Sequence, residues 1–170
     1  MKIKALFSTF IVSLFMLVGA SAQAQPFDSY INAQAAMSDV DRFDNGVSAV
    51  VTYGHRVPEV AKRFSVEGEF TTSIVEPEGF GVDVSYWSMG AYAAYTPSIS
   101  TNLNLRGRIG IVFINYDFGG FGGRGSDDDV ELSVGFGMTG KLSKTWNWMV
   151  EYTMITDEIN HISAGLQFKI

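Results

Sequence analysis

Apolar and polar residues alternate along most of this chain, and the stretch 130–138 shows the pattern clearly. Its even positions are apolar, and the positions between them carry glutamate, serine or glycine: Val130, Leu132, Val134, Phe136 and Met138 against Glu131, Ser133, Gly135 and Gly137. Side chains of a β-strand point to opposite faces with a period of two. The pattern therefore predicts a strand with one apolar and one polar face.

Alternation of this kind recurs in eight segments: 31–38, 47–54, 63–74, 87–96, 103–113, 130–138, 146–154 and 161–170. Four apolar residues break it by falling on polar positions: Val50, Val112, Met149 and Ile155. Long connections (38–46, 76–83, 116–128 and 157–160) alternate with short ones (57–62, 97–100 and 141–144). This rhythm predicts an all-β fold, an eight-stranded antiparallel up-and-down β-barrel.

The first 24 residues predict a cleaved secretory signal peptide. Lys2 and Lys4 precede an apolar run over residues 5–18, and small residues follow up to Ala24. Cleavage is expected before Gln25, with Gln23 as the alternative. A membrane anchor is disfavoured because a spanning helix needs about 20 apolar residues. The predicted domains are the signal peptide, 1–24, and one β-barrel domain, 25–170.

Charge and cysteine content narrow the class of protein. The chain has 12 basic and 18 acidic residues, and removal of Lys2 and Lys4 leaves 10 minus 18, a net charge of −8. An acidic chain is a poor partner for nucleic acid. The chain contains no cysteine, so the exported protein is expected to fold without disulfides.

Alternation alone fits a membrane barrel with its apolar face outside and a soluble lipocalin-type barrel with its apolar face inside. The polar face carries about one or two charges per strand, which suits a narrow lumen better than a water-exposed exterior. Strands of roughly 10 residues match the thickness of a bilayer. Aromatic residues near the segment ends match its interfacial girdles: Tyr53, Trp87, Tyr95, Trp146, Trp148 and Phe168. These features favour the transmembrane barrel, and the soluble binder is the alternative.

The last segment resembles the C-terminal signal of bacterial outer-membrane barrels. Ser163, Gly165, Phe168 and Ile170 occupy its polar, glycine, apolar and terminal positions, although the family usually ends in Phe or Trp. The whole chain after residue 24 is similar in pattern to the eight-stranded barrel of outer-membrane protein A and its small relatives. The resemblance implies export to a Gram-negative outer membrane, contact with its lipids and lipopolysaccharide, and insertion by the barrel assembly machinery. We expect a monomer.

Seven charged residues share the predicted polar face: Arg63, Glu67, Glu69, Arg106, Arg108, Glu131 and Glu151. An eight-stranded barrel is just wide enough for side chains to fill, and an unpaired buried charge costs several kcal/mol. We therefore expect Glu67 or Glu69, together with Glu131, to engage Arg106 and Arg108 in a plugged lumen. A gated, narrow ion path is the alternative.

His161-Ile162-Ser163 resembles the His-x-Ser motif of outer-membrane lipid A deacylases, in which histidine activates serine for attack on an ester. Both residues fall on the polar face, whereas lipid hydrolysis requires them to face the bilayer. The asparagine that follows serine in that family is also replaced, by Ala164. We expect a lumen or rim histidine, no catalytic residue and no cofactor, and a lipid A-modifying enzyme is the less favoured alternative.

The stretch 122–127 fits the Gly-Gly-x-Gly-x-Asp pattern of calcium-binding β-helix repeats, and Asp128 and Asp129 add oxygen ligands. Such sites need several stacked repeats, and one is present, so no metal site is expected. The favoured interpretation is a flexible acidic external loop that includes Phe118, Phe121, Asp127 and Asp128 and is available to a partner. The predicted role is structural, stabilising the envelope, or interactive, through these loops.

Overall fold

The computed structural model describes residues 28–40, 44–58, 60–79, 82–120, 125–156 and 159–170. Eight strands form the barrel wall: β1 Ser29–Val40, β2 Gly46–Arg56, β3 Phe64–Val75, β4 Val82–Tyr95, β5 Leu103–Gly120, β6 Gly125–Lys141, β7 Trp146–Met154 and β8 Ile159–Lys169. A two-residue segment, Glu78–Gly79, pairs with the start of β4. The predicted signal peptide lies outside the described residues.

Each strand pairs antiparallel with the next along the chain, and β8 returns to pair with β1. In that closing ladder Ala164 lies opposite Ala35. The sheet is therefore a closed up-and-down barrel, as the alternation predicts. Closure leaves no edge strand within the wall. A barrel in lipid requires this, because unpaired backbone N–H and C=O groups there have no water to bind.

The barrel turns its apolar face outward. Leu132 and Phe136 are each 66% exposed, whereas Thr52 and Ser133 on the other face are 0% exposed. A soluble barrel would bury the apolar set instead. The orientation is that of a transmembrane barrel, and the soluble alternative is excluded. Aromatic pairs lie on this outer face, with ring centroids 4.8 Å apart for Trp146 and Phe168 and 5.5 Å apart for Trp87 and Phe113.

The two ends of the barrel differ. One end, here the turn end, carries the short turns after β2, β4 and β6 together with the start of β1 and the end of β8. There the backbone groups of Ser29 and Ile170 bond to each other. The opposite end, the loop end, carries the longer connections. In the described part of the chain no helix is long and apolar enough to cross a membrane.

The four exceptions to the alternation face inward. Val50, Val112, Met149 and Ile155 are each no more than 3% exposed. Two of them join an apolar layer that fills the lumen near the loop end: Tyr86, Val112, Ile114, Ile155 and Ile159. The lumen is thus apolar at one level, whereas the sequence predicts a polar and ionic filling throughout.

The hairpin of β5 and β6, accompanied by the start of β4, extends beyond β7 at the loop end. Pairing between these strands continues as far as Phe118 and Gly125, but β7 pairs with β6 only from Val134 onward. Most of the predicted loop 116–128 is therefore strand. The alternation is weak there because a hairpin that projects past the wall has no lipid-facing side.

Candidate functional site: the filled lumen

Two arginines on β5, Arg106 and Arg108, form the centre of the polar lumen. Both point inward because their neighbours Leu105 and Ile109 point outward and are 40% and 52% exposed. The arginines are 2% and 6% exposed. A buried guanidinium needs charged partners, since breaking a buried ion pair costs about 3–5 kcal/mol.

Arg106 bridges two carboxylates. Its Nη1 and Nη2 donate to the two oxygens of Glu67 on β3 at 2.6 and 2.5 Å. Its Nε donates to Glu151 Oε2 on β7 at 2.5 Å. The contact with Glu67 is the two-pronged arrangement in which a planar guanidinium matches both oxygens of a carboxylate, one of the strong charge-assisted geometries.

Arg108 repeats this arrangement two residues further along β5. Its Nη1 and Nη2 donate to Glu69, the second at 3.1 Å, and Nη2 also donates to Thr153 Oγ1 at 3.0 Å. Its Nε lies 2.8 Å from Glu151 Oε1 without a hydrogen bond between them, so this contact is an ion pair alone. The guanidinium also lies over the Tyr92 ring, 4.2 Å from its centroid, in a cation–π contact.

Glycines on β6 make room for these contacts. Gly137 lies between Arg106 and Glu151 in the ladder, opposite both. A Cβ on Gly137 would lie 2.8 Å from Glu151 Cα, and one on Gly135 would lie 2.8 Å from Arg108 Nε. Glycine within a strand marks such close approaches. The bare backbone of β6 lets side chains of β5 and β7 meet across it.

The ion layer, defined as Arg106, Arg108, Glu67, Glu69 and Glu151, holds two positive and three negative groups, a net charge of −1 when all are ionised. Three hydroxyl groups donate to the carboxylates: Tyr30 to Glu67, Thr52 to Glu69 and Thr153 to Glu151. Charge-assisted bonds of this kind stabilise the ionised form of a carboxylate. They compensate the unpaired negative charge.

A second polar cluster lies between the ion layer and the apolar layer. The Tyr86 hydroxyl lies 2.7 Å from both Ser38 Oγ and Ser48 Oγ and 2.6 Å from His161 Nε2. The ring of the same tyrosine belongs to the apolar layer. Tyr86 therefore joins the two layers, and the lumen is filled by side chains of different chemistry at successive levels.

Two of the seven predicted lumen charges lie away from the ion layer. Arg63 is exposed in the turn before β3, because that strand begins at Phe64. Glu131 is on the inward side of β6 and half-buried opposite Val112, but the carboxylate that reaches both arginines is Glu151. Glu131 lies four positions before Gly135 along β6, about 13 Å at 3.3 Å per residue. The expected pairing of Glu131 with the arginines is therefore wrong.

Three lumen tyrosines were not predicted from the sequence: Tyr30, Tyr86 and Tyr92. Each is at most 4% exposed, and glycines leave space for two of the rings. A Cβ on Gly54 would lie 2.2 Å from the Tyr30 ring, and one on Gly90 would lie 2.5 Å from the Tyr92 ring. The signal was in the alternation, because all three tyrosines fall on polar positions.

His161 and Ser163 both point into the lumen, where they are 3% and 4% exposed. Ser163 Oγ accepts a hydrogen bond from Gln34 Nε2 at 2.8 Å and donates to the carbonyl of Glu151 at 3.2 Å. The imidazole of His161 bonds instead to Tyr86. This histidine is thus part of the polar cluster, and neither residue faces the bilayer.

The predicted external-loop residues lie on the projecting hairpin. Phe118 is in β5, Asp127 and Asp128 are in β6 and exposed, and Phe121 lies outside the described residues, as does the first half of the calcium-like motif, 122–124. The carboxylates of Asp127 and Asp129 accept hydrogen bonds from the next backbone N–H at 3.0 and 2.7 Å. Among the residues that the structure describes, no three His, Asp or Glu side chains are grouped as around a metal ion.

The predicted assembly signal forms the end of β8 and the residue after it. Gly165 lies at the closing ladder opposite Gln34, where a Cβ would lie 2.1 Å from the Ala33 carbonyl oxygen. Phe168 contacts the Trp146 ring at a tilt of 49°, and Ile170 is 47% exposed. Gly165 is thus required by the close approach of β1 and β8, independently of any recognition by the assembly machinery.

Comparison with known proteins decides the family. Residues 9–168 match the family model of the outer membrane protein beta-barrel domain, nearly the whole chain. The chain belongs to this outer-membrane β-barrel family. No curated protein sequence matches it closely enough to suggest more.

Solved structures show the same fold in other members of the outer-membrane barrel class. Neisserial surface protein A is 16% identical, with a TM-score of 0.71 over 86% of this chain and 100% of that one. The N-terminal barrel of Pseudomonas aeruginosa OprF is 9% identical, with a TM-score of 0.63 over 86% of this chain and 100% of that one. Ail, the attachment invasion locus protein of Yersinia pestis, is 17% identical, with a TM-score of 0.56 over 85% and 100%.

Membership of the family and the outward apolar face agree on location. The protein is a small eight-stranded barrel of the Gram-negative outer membrane, and its outward residues contact lipid. The lumen, closed by the ion layer and the apolar layer, is where this chain's own chemistry is concentrated.

Proposed function

We propose that this protein is a structural barrel of the outer membrane whose lumen does not conduct ions. The ion layer carries this proposal, because Arg106 and Arg108 link β3, β5 and β7 across the interior through buried ion pairs. A pore needs water along its axis, and here the axis is crossed by paired side chains and, nearer the loop end, by the apolar layer.

Conductance in planar bilayers tests this proposal against the narrow-channel alternative. The refolded protein is expected to show no conductance steps above baseline in concentrated salt across a wide voltage range. A large porin inserted in the same bilayer is the positive control, because its conductance steps show that the recording detects open channels. Regular, voltage-dependent steps from the purified protein would overturn the proposal.

A second role, as an interaction protein, is favoured by the charge of the loop end. Exposed carboxylates at this end include three in a row on the hairpin: Asp39, Asp44, Glu76, Asp117, Asp127, Asp128 and Asp129. Consecutive charges on a projecting strand also prevent pairing with another strand edge. We propose that this acidic hairpin presents side chains to a cationic partner.

Binding to a basic probe tests the acidic hairpin. We expect the triple variant with Asp127, Asp128 and Asp129 changed to asparagine to bind a fluorescent oligolysine peptide at least about tenfold more weakly. The electrostatic attractions of the three exposed carboxylates add up, although salt screens each of them. Asp28→Asn removes one carboxylate from the turn end and is expected to leave binding unchanged. Equal binding by wild type and the triple variant would refute a role for the hairpin.

The proposal does not include catalysis. His161 and Ser163 are buried and bond to different partners, so the Ser163 hydroxyl is neither activated by His161 nor turned toward lipid. Mass spectrometry of lipid A from cells with wild type or His161→Ala tests this point. Loss of an acyl chain in the presence of wild type alone would establish the enzyme instead.

Assembly is proposed to proceed through the barrel assembly machinery, with Gly165, Phe168 and Ile170 as the recognised residues, and the folded protein is proposed to be a monomer. The described outer face of the wall is apolar and suits contact with lipid, so it offers few polar groups for specific binding of a second copy. Cross-linking in outer-membrane vesicles tests the monomer, and a prominent dimer band would refute it.

A further inference from the structure

A cavity of about 210 Å³ opens at the turn end of the barrel, below the ion layer. Polar side chains line it, and Tyr30, whose hydroxyl contacts Ser65 at 2.8 Å and donates to Glu67, is one of them. The cavity, here called the vestibule, is smaller than the roughly 300 Å³ of a drug-sized ligand site. It has room for a small polar group.

Three cationic side chains line the vestibule: Arg56, Lys62 and Arg63. They lie at the end of β2 and in the turn that follows it, and all three are exposed. In the parts of the chain that the structure describes, no carboxylate lies within ion-pair distance of any of them. Glu67 and Glu151, the nearest carboxylates along the lumen, are already held by Arg106.

Further positive charge surrounds this group. The ammonium of Lys169, at the end of β8, experiences the positive charges of Arg56 and Lys141. The backbone carbonyl of Asp28 accepts a hydrogen bond from the backbone N–H of Arg56 at 2.7 Å. No ion pair is formed between the Asp28 carboxylate and a described cation. Like charges held together repel, so an acidic chain that gathers its cations around a polar cavity loses stability unless an anion is bound.

The donors available at the vestibule fit a phosphate group. Each arginine offers a planar set of N–H donors that matches phosphate or carboxylate oxygens in pairs, and lysine adds a point charge. The remaining lining is hydroxyl and amide, including Thr96 and Ser98 at the mouth and Asn147 further in. Tetrahedral oxyanions use such mixed sets of charged and neutral donors.

From this cavity and its charge, we propose that the turn-end vestibule binds a phosphate-type oxyanion, held by Arg56 and Arg63 with Lys62 at the mouth. The phosphate belongs either to a soluble phosphomonoester or to the headgroup of an anionic phospholipid. Both offer the same oxygens to the same donors, and the experiment separates them.

The test uses the full barrel refolded in a zwitterionic detergent. Isothermal titration with inorganic phosphate and with glycerol 3-phosphate measures the soluble source, and native mass spectrometry after addition of phosphatidylglycerol, with phosphatidylcholine as comparison, measures the lipid source. The test variant is Arg56→Gln with Arg63→Gln. The matched control is Lys144→Gln, which removes a positive charge from the turn end but not from the vestibule.

Wild type is expected to bind at least one of these probes saturably, and the double variant at least tenfold more weakly, with Lys144→Gln unchanged. Saturable phosphate binding assigns a soluble ligand, and selective retention of phosphatidylglycerol assigns a lipid headgroup. The heat-dependent gel shift of a folded barrel verifies each variant, and Lys62→Gln replaces the double variant if that one does not fold. Absence of binding to every probe, or equal losses in Lys144→Gln and the test variant, would overturn the proposal.

Discussion

Arg106 and Glu67 face each other across the lumen and form two parallel hydrogen bonds of 2.6 and 2.5 Å. They stand on β5 and β3, which are separated in the wall by β4. The pair therefore joins strands that share no backbone hydrogen bond. Glu151 on β7 extends the link through Arg106 Nε, so one guanidinium connects three alternate strands of the barrel.

Removal of Arg106 is expected to destabilise the barrel strongly. Arg106→Met leaves Glu67 and Glu151 buried with fewer positive partners, and breaking a buried pair in this way costs about 3–5 kcal/mol. Glu151→Gln is expected to cost less, about 1–3 kcal/mol, because two arginines and two glutamates remain as balanced charges, although the ion pairs of Glu151 with both arginines are lost. Urea unfolding in lipid vesicles, followed by tryptophan fluorescence, measures both changes.

Lys144→Met controls for removal of a cation from an exposed turn, where substitutions usually change stability by less than about 0.5 kcal/mol. If Arg106→Met unfolds at the same urea concentration as Lys144→Met, the ion layer does not stabilise the barrel.

The alternation predicted the fold and the facing of residues such as Val130 and Leu132 because lipid and lumen impose opposite chemistry on successive side chains. It also placed Arg106, Arg108 and Glu67 on the inward face. The alternation did not predict the position of each residue along the barrel axis. That position depends on the stagger between strands. The register sets Glu151 opposite Gly137, so Glu151 lies beside the arginines, where Glu131 was expected.

The apolar layer and the hairpin were unpredictable for different reasons. Val112 and Ile155 break the alternation, and a single break does not show whether an apolar side chain enters the lumen. Asp127 and Asp128 belong to β6. A strand that projects beyond the bilayer has no face in lipid, so the apolar positions of the alternation are missing there. The vestibule was missed because Arg56 and Lys62 come from a strand end and a turn that meet only in the fold.

Thiol labelling is expected to show a closed lumen. The chain contains no cysteine, so each introduced thiol reports on one position. Ser48→Cys, between the apolar and ion layers, is expected to react with a charged maleimide at least about tenfold more slowly than Ser98→Cys at the vestibule mouth, because the reagent reaches Ser48 only when the barrel opens. Both changes replace the same hydroxyl, so the comparison is matched. Equal rates would show that water and small ions reach the inner lumen.

The free-energy cost of an arginine on the outer face is expected to depend on the depth of that position in the bilayer. Phe136→Arg places a charge near the middle of the wall and is expected to cost about 2–4 kcal/mol, whereas the cost near an interface falls to about 0–1 kcal/mol. Val47→Arg, one residue from the loop-end start of β2, is the interfacial control. Urea midpoints in vesicles of defined thickness measure the difference. Equal costs at the two positions would contradict the assigned orientation of the wall in the bilayer.

Two glycines, Gly165 on the inward face of β8 and Gly107 on the outward face of β5, are expected to respond differently to substitution by alanine. A Cβ on Gly165 would lie 2.1 Å from the Ala33 carbonyl oxygen, so Gly165→Ala forces β1 and β8 apart at the ladder that closes the barrel. A Cβ on Gly107 meets no atom within 4 Å, so Gly107→Ala is expected to be neutral or slightly stabilising, since glycine weakens a strand. Overpacking typically costs about 1–3 kcal/mol.

The rate at which the heat-dependent gel shift develops during refolding is expected to fall for Gly165→Ala alone. Equal refolding of both variants would show that the closing ladder tolerates a side chain at Gly165 and that the approach of β1 and β8 does not require glycine there.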